Sequence, residues 1–96
     1  MAETNDQAAR VLIGGRVQGV GFRYFVYKNA RRNGLTGWVR NLKDGNVEAH
    51  FEGSEDDIQK VLELCKKGPA GSLVKEFTVS RSDPEGSWSD FDFRYA

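Results

Sequence analysis

The chain has one cysteine, Cys65, one histidine, His50, and two prolines among 96 residues. A single thiol excludes a disulfide framework and a cysteine-based zinc site. Cys65 falls on the apolar face of a predicted helix, so a buried, inert thiol is expected rather than a nucleophile. His50 stands between Glu48 and Glu52 on the polar side of a predicted strand and is expected to be a solvated surface residue. No apolar run approaches the roughly 18 residues of a membrane span. The opening stretch MAETNDQAAR lacks the basic and apolar regions of a signal peptide, so a cytoplasmic protein with no membrane partner is expected.

A further absence is local. Net charge is zero, yet no Asp or Glu occurs between Asp6 and Asp44, where Arg10, Arg16, Arg23, Lys28, Arg31, Arg32, Arg40 and Lys43 all fall. Such a segment adds positive potential and suits an anionic ligand, unless folding returns the later acids against it; composition leaves both outcomes open.

With 39% hydrophobic and 29% charged residues, the chain has material for one core and one domain. Residues 1–8 are polar and without period, which predicts a flexible tail ahead of a single domain over residues 9–96. Val11-Leu12-Ile13 before glycines predicts a strand. Phe22, Phe25, Val26 and Ala30 recur at helical spacing, with Gly34 as a stop. Thr36 to Leu42 and Val47 to Phe51, separated by Asp44-Gly45, predict a hairpin. Ser54 followed by Asp57 resembles a capping box for a second helix that buries Ile58, Val61, Leu62 and Cys65. A fourth strand is expected around Phe77 and Val79, and a fifth at Phe91, Phe93 and Tyr95. The order predicts an α+β fold: a ferredoxin-like βαββαβ sandwich, with an antiparallel sheet, both helices on one face and an extra C-terminal strand. The third strand would then lie between the first and second.

Between the first strand and helix runs GRVQGVGFR, Gly15 to Arg23. It is not a Walker loop, because Val20 follows Gly19 where Lys is required, nor a dinucleotide fingerprint, because Tyr24 replaces the third Gly. Its glycines nevertheless let backbone N–H groups converge as an anion nest beside the positive end of a helix dipole. Arg23, a cation in that first turn, opposes the dipole at a cost of about 0.3–1 kcal/mol unless an anion sits there. It could instead face solvent or pair with a distant carboxylate, and Arg16 and Arg40 are further cations not tied to the helix start. Asn41 is expected at the same end of the sheet, two strand spacings or about 10 Å away. Its amide suits the orienting of a water toward a phosphoryl group, and equally the turn that begins at Lys43. Glu55, Asp56 and Asp57 complement a helix dipole rather than form a metal site, and Trp38 and Trp88 are expected to be packing residues.

The run from Ile13 through Arg23, together with Gly34-Leu35, Gly37-Trp38-Val39-Arg40-Asn41, Asp44-Gly45-Asn46-Val47-Glu48 and Gly53, resembles the acylphosphatase family from Val11 to the C-terminal strand. The resemblance implies hydrolysis of the carboxyl-phosphate bond of an acyl phosphate to a carboxylate and inorganic phosphate, without metal or cofactor. It implies that Arg23 binds the phosphoryl group with the amides of Gly15, Arg16, Val17, Gln18, Gly19, Val20, Gly21 and Phe22, and that Asn41 positions the attacking water. The chemistry is self-consistent: a carboxylate is a weak base and leaves without a general acid, so positioning and charge neutralisation suffice. A monomer is the default expectation. An RNA-recognition module of the same topology should carry stacking aromatics on its inner strands, where this sequence has only Phe51, so no nucleic-acid partner is expected. A free-standing enzyme is expected over a module of the hydrogenase-maturation carbamoyltransferase kind, which continues into cysteine-rich zinc segments.

Overall fold

Alternation along the strands and a four-residue period along the helices sort the side chains onto one shared core. The computed structural model describes residues 6–95. Its elements are β1 (Asp6–Arg16), α1 (Phe22–Arg32), β2 (Thr36–Asn41), β3 (Val47–Ser54), α2 (Glu55–Lys67), β4 (Leu73–Ser82) and β5 (Phe91–Phe93). Ala9, Val11 and Ile13 of β1 and Val47, Ala49 and Phe51 of β3 face the helices and are fully or almost fully buried. Phe22, Val26 and Ala30 of α1 and Ile58, Val61, Leu62 and Cys65 of α2 meet them. Phe51, buried in this layer, is not available for base stacking.

The sheet order is β4-β1-β3-β2-β5, with β3 between β1 and β2 as expected. Two expectations are corrected. The chain enters β1 at Asp6, not after residue 8, and Ala8 is fully buried; residues 1–5 lie outside the described residues. β1 is flanked by β3 and β4, whose ladders reach Ser54 opposite Asp6 and Ser82 opposite Ala8, so backbone hydrogen bonding draws this polar stretch into the sheet. The sheet is also mixed rather than antiparallel, because β5 runs parallel to β2. β4 is antiparallel to β1, and β1 and β2 are both antiparallel to β3. A chain that reverses after β4 therefore meets β2 in the parallel sense.

To travel from the β4 edge to the β2 edge, residues 83–90 cross the sheet face opposite the helices. There the structure corrects the expectation for His50, which is 1% exposed rather than solvated. Its Nε2 lies 2.8 Å from Glu52 Oε2. The same carboxylate accepts the backbone N–H groups of Glu85 at 2.8 Å and Gly86 at 3.0 Å. The rings of Trp38 and Trp88 pack on the imidazole, at 6.0 and 6.1 Å between centroids. His50, Glu52 and Glu85 place potential metal-ligand atoms within 4.8 Å of one another. The Glu52 oxygens are already engaged by three N–H donors, however, and Arg10 approaches the other imidazole nitrogen at 3.4 Å. The cluster is a latch that pins the crossing segment to the sheet.

Two predictions follow from this packing. Burial disfavours the Glu52 charge, but the Glu85 amide, the His50 imidazole and the Gly86 amide together outweigh it and hold the carboxyl below its usual 4.5. A depressed carboxyl contributes stability above its unfolded value and loses it as pH falls through the folded one. Urea midpoints should therefore drop on acidification below pH 4.5, and less steeply in Glu52→Gln; parallel pH profiles would contradict the latch. Burial pushes the Cys65 thiol up to about 12, so Ellman's reagent should label it only at the rate of unfolding.

Candidate active site

Ile13 and Asn41 both pair with Val47, from its two sides. The chain leaving β1 and the end of β2 therefore emerge together, separated by the width of β3. A register shift between Gly14 and Gly15 ends the regular ladder of β1 with β4. Gly15 has φ 123° and lies so close to the Leu73 carbonyl that a Cβ would collide with it. The loop then swings over the sheet edge and enters α1 through Gly21, whose φ of 78° and ψ of 18° are left-handed.

The two helix starts are treated oppositely. α2 is capped by Ser54, which accepts from the Asp57 amide at 3.2 Å, and carries Glu55, Asp56 and Asp57 in its first turn. α1 has no side-chain cap and no acid in its first turn. Among the described residues, no protein group accepts from the amides of Gln18 to Gly21. The positive end of α1 and the neighbouring loop amides thus have no acceptor among the described residues.

They border a cavity of about 260 Å³. Val17, Gln18, Gly19, Gly21 and Phe22 form one wall, Arg23 and Tyr24 the helix side, Asn41 the sheet side, and Phe93 and Tyr95 the outer rim. Gly15, Arg16 and Val20, also expected here, do not line it. Gly15 and Arg16 continue β1 opposite Val74 and Leu73, and Val20 packs against the core. The size admits a phosphoryl group with a modest substituent and is below the usual range for drug-sized ligands.

Three polar side chains of the lining stand out: Arg23, Asn41 and Gln18. Arg23 makes no hydrogen bond or ion pair among the described residues, and its guanidinium carbon lies 5.9 Å from the Phe93 ring centre and 5.7 Å from that of Tyr95. Arg40, by contrast, is engaged by Glu48 at 2.7 Å on the other sheet face. The Asn41 Oδ1 is buried and has no hydrogen-bond partner, an unusual state for an acceptor in a protein interior. Gln18 contributes more than an amide: its Nε2 donates to the carbonyls of Leu42 at 2.8 Å and Asn46 at 2.9 Å. The loop is thereby tied to the turn that follows Asn41. That tie, and the approach of Phe93 and Tyr95, had no local signal in the sequence beyond the alternation of aromatics in the last strand.

The fold and cavity define a ferredoxin-like α+β domain with a small cavity at its first loop. Comparison with known proteins assigns the family. The acylphosphatase family model matches residues 9–93, and the chain belongs to that family. An acylphosphatase of Trichormus variabilis is 50% identical over 76 residues, covering 79% of this chain and 75% of the relative. The crystal structure of the Bacillus subtilis acylphosphatase superposes with a TM-score of 0.89 at 40% identity, covering 93% of this chain and 99% of that one. Full-length HypF in its phosphate- and nucleotide-bound form superposes with a TM-score of 0.85 at 30% identity over 97% of this chain, which matches 12% of that much longer protein.

If Gln18 ties loop to turn, Gln18→Leu removes two hydrogen bonds between them, leaving the Leu42 and Asn46 carbonyls only the amides of Gly45 and Leu42. It should lower unfolding free energy by about 1–2 kcal/mol, read from urea denaturation, and weaken inorganic phosphate binding in the same variant. An unchanged midpoint and phosphate affinity would contradict the tie.

Proposed function

We propose that the protein hydrolyses acyl phosphates to a carboxylate and inorganic phosphate, with no metal or cofactor. The observation that carries this reading is the presence, in the lining of one small cavity, of an arginine without a carboxylate partner and of Asn41, whose buried Oδ1 has no donor. Membership of the acylphosphatase family supports the choice of substrate class.

In this reading the phosphoryl group binds at the start of α1. The loop amides and the Arg23 guanidinium hold its oxygens, Arg through a fork that a Lys cannot reproduce. Asn41 Oδ1 accepts a hydrogen bond from a water and aims its oxygen at phosphorus. As the new P–O bond forms, the bond between phosphorus and the acyl oxygen breaks, and the carboxylate departs with the electron pair. The water's proton passes to a phosphoryl oxygen. The leaving group is a weak base and needs no protonation, so the cavity requires no acid. Catalysis then consists of placing the reactants and stabilising charge on the equatorial oxygens.

Arg23→Gln should abolish measurable turnover and remove inhibition by inorganic phosphate. Asn41→Ala should lower kcat by about 10²–10³ while phosphate inhibition is largely kept. The assay compares an acyl phosphate with an ordinary phosphate monoester, with and without chelator. Rapid, chelator-insensitive cleavage of the acyl phosphate alone is expected. Wild-type kinetics in Arg23→Gln, or loss of activity on chelation, would overturn the reading.

A further inference from the structure

Arg23 is the one charged side chain among the described residues that line the cavity, and something must aim it. Three other arginines are aimed by acceptors, two of them, Arg31 and Arg40, with a ring alongside, and Arg94 lies over the Trp38 ring at 4.8 Å. Arg31 is held by Asp90 at 3.0 Å and the Phe91 carbonyl at 3.1 Å, Arg81 by two bonds to Glu55, and Arg40 by Glu48. At Arg23 the neighbours are two aromatic rings, both within the roughly 6 Å over which a ring face attracts a cation.

We propose that Phe93 and Tyr95 are positioning residues for Arg23, orienting its guanidinium for the phosphoryl group; the proposal rests on the phosphate-binding role argued above for Arg23. A carboxylate would fix the guanidinium more firmly but would occupy its N–H donors and neutralise its charge. A ring face attracts the cation and offers no carboxylate lone pair in competition with phosphate. Phe93 is itself well anchored. It pairs with Val39 across the β2–β5 ladder, the next amide, of Arg94, donates to the Val39 carbonyl at 2.9 Å, and its ring stacks on Tyr27 at 4.5 Å. Tyr95 lies just past β5 and is 77% exposed, so burial does not account for its placement. Among the described residues, its ring contact is with Arg23.

The exposed Tyr95 gives the cleaner test, because its replacement leaves the core intact. The Arg23 Nε–Hε signal is followed by nitrogen-edited NMR, with Arg23→Gln identifying it, while inorganic phosphate is titrated into wild type, Tyr95→Phe, Tyr95→Leu and Phe93→Leu. In wild type the signal should move on binding. In Tyr95→Leu it should shift before any phosphate is added, and the phosphate Kd should rise about two- to fivefold, with KM for an acyl phosphate rising in step. Tyr95→Phe should match wild type, since the ring and not the hydroxyl acts. Phe93→Leu should raise Kd in the same direction, with some loss of stability. A Tyr95→Leu protein with the wild-type signal and Kd overturns the positioning role alone. An equal loss in Tyr95→Phe also overturns it, by assigning the effect to the hydroxyl. A wild-type Arg23 signal indifferent to phosphate overturns the phosphate-binding reading and the positioning role with it.

Discussion

The pairing of Val47 with Ile13 on one side and Asn41 on the other sets the scale of the cavity. That register is held by the core itself. A slip of one residue in β3 would turn Val47, Ala49 and Phe51 to the outer face and push Glu48, His50 and Glu52 under the helices. Burying those charges away from their partners costs far more than any local adjustment at the loop could recover. The apolar alternation of β3 therefore fixes how far the loop stands from Asn41, although no β3 residue lines the cavity.

Within that frame, charge is distributed by exclusion. Two cations of the basic, acid-free first part of the chain find acids on folding: Arg40 finds Glu48 and Arg31 finds Asp90. Arg23 does not. Glu48 and Glu52 stand on the outer face, Asp90 at the β5 edge and Glu55, Asp56 and Asp57 at the start of α2, whereas the first turn of α1 carries no acid. Two helices in one small domain thus differ in capping and charge at their first turns. α2 is capped by Ser54 and acidic, and its Glu55 is paired with Arg81. α1 is uncapped and carries a cation, a local cost that an anion at the loop would reverse.

Much of this was legible in the sequence because it rests on local pattern. Phe22, Val26 and Ala30 have a helical period, β3 alternates, Asp44-Gly45 marks a tight turn, and the glycine spacing from Gly15 to Gly21 marks a loop that bends without side chains. What was not legible depends on residues far apart in the chain. His50 reads as a surface residue because its neighbours are acidic, and only the return of residues 83–90 buries it. The parallel sense of β5 follows from where β4 ends in the sheet, which no window of sequence contains. Gln18 reads as one more loop residue, and its two bonds to Leu42 and Asn46 exist only once the loop and turn are side by side.

The outer face and the cavity are linked through this last segment. β5 is three residues long and occupies an edge, which gives it little stability of its own. It is held at its start by the Gly37 amide on the Asp90 carbonyl at 3.0 Å and by the ion pair of Asp90 with Arg31. Upstream, Glu52 pins the crossing segment by the Glu85 and Gly86 amides. A free edge strand so short would otherwise fray, and with it would go the rim of the cavity, since Phe93 ends the strand and Tyr95 lies beyond it. Among the described residues, no hydrogen bond or ring contact joins the buried pair of His50 and Glu52 to a residue that lines the cavity. The pair acts on the rim by shortening the length of chain that is free to move between β4 and β5.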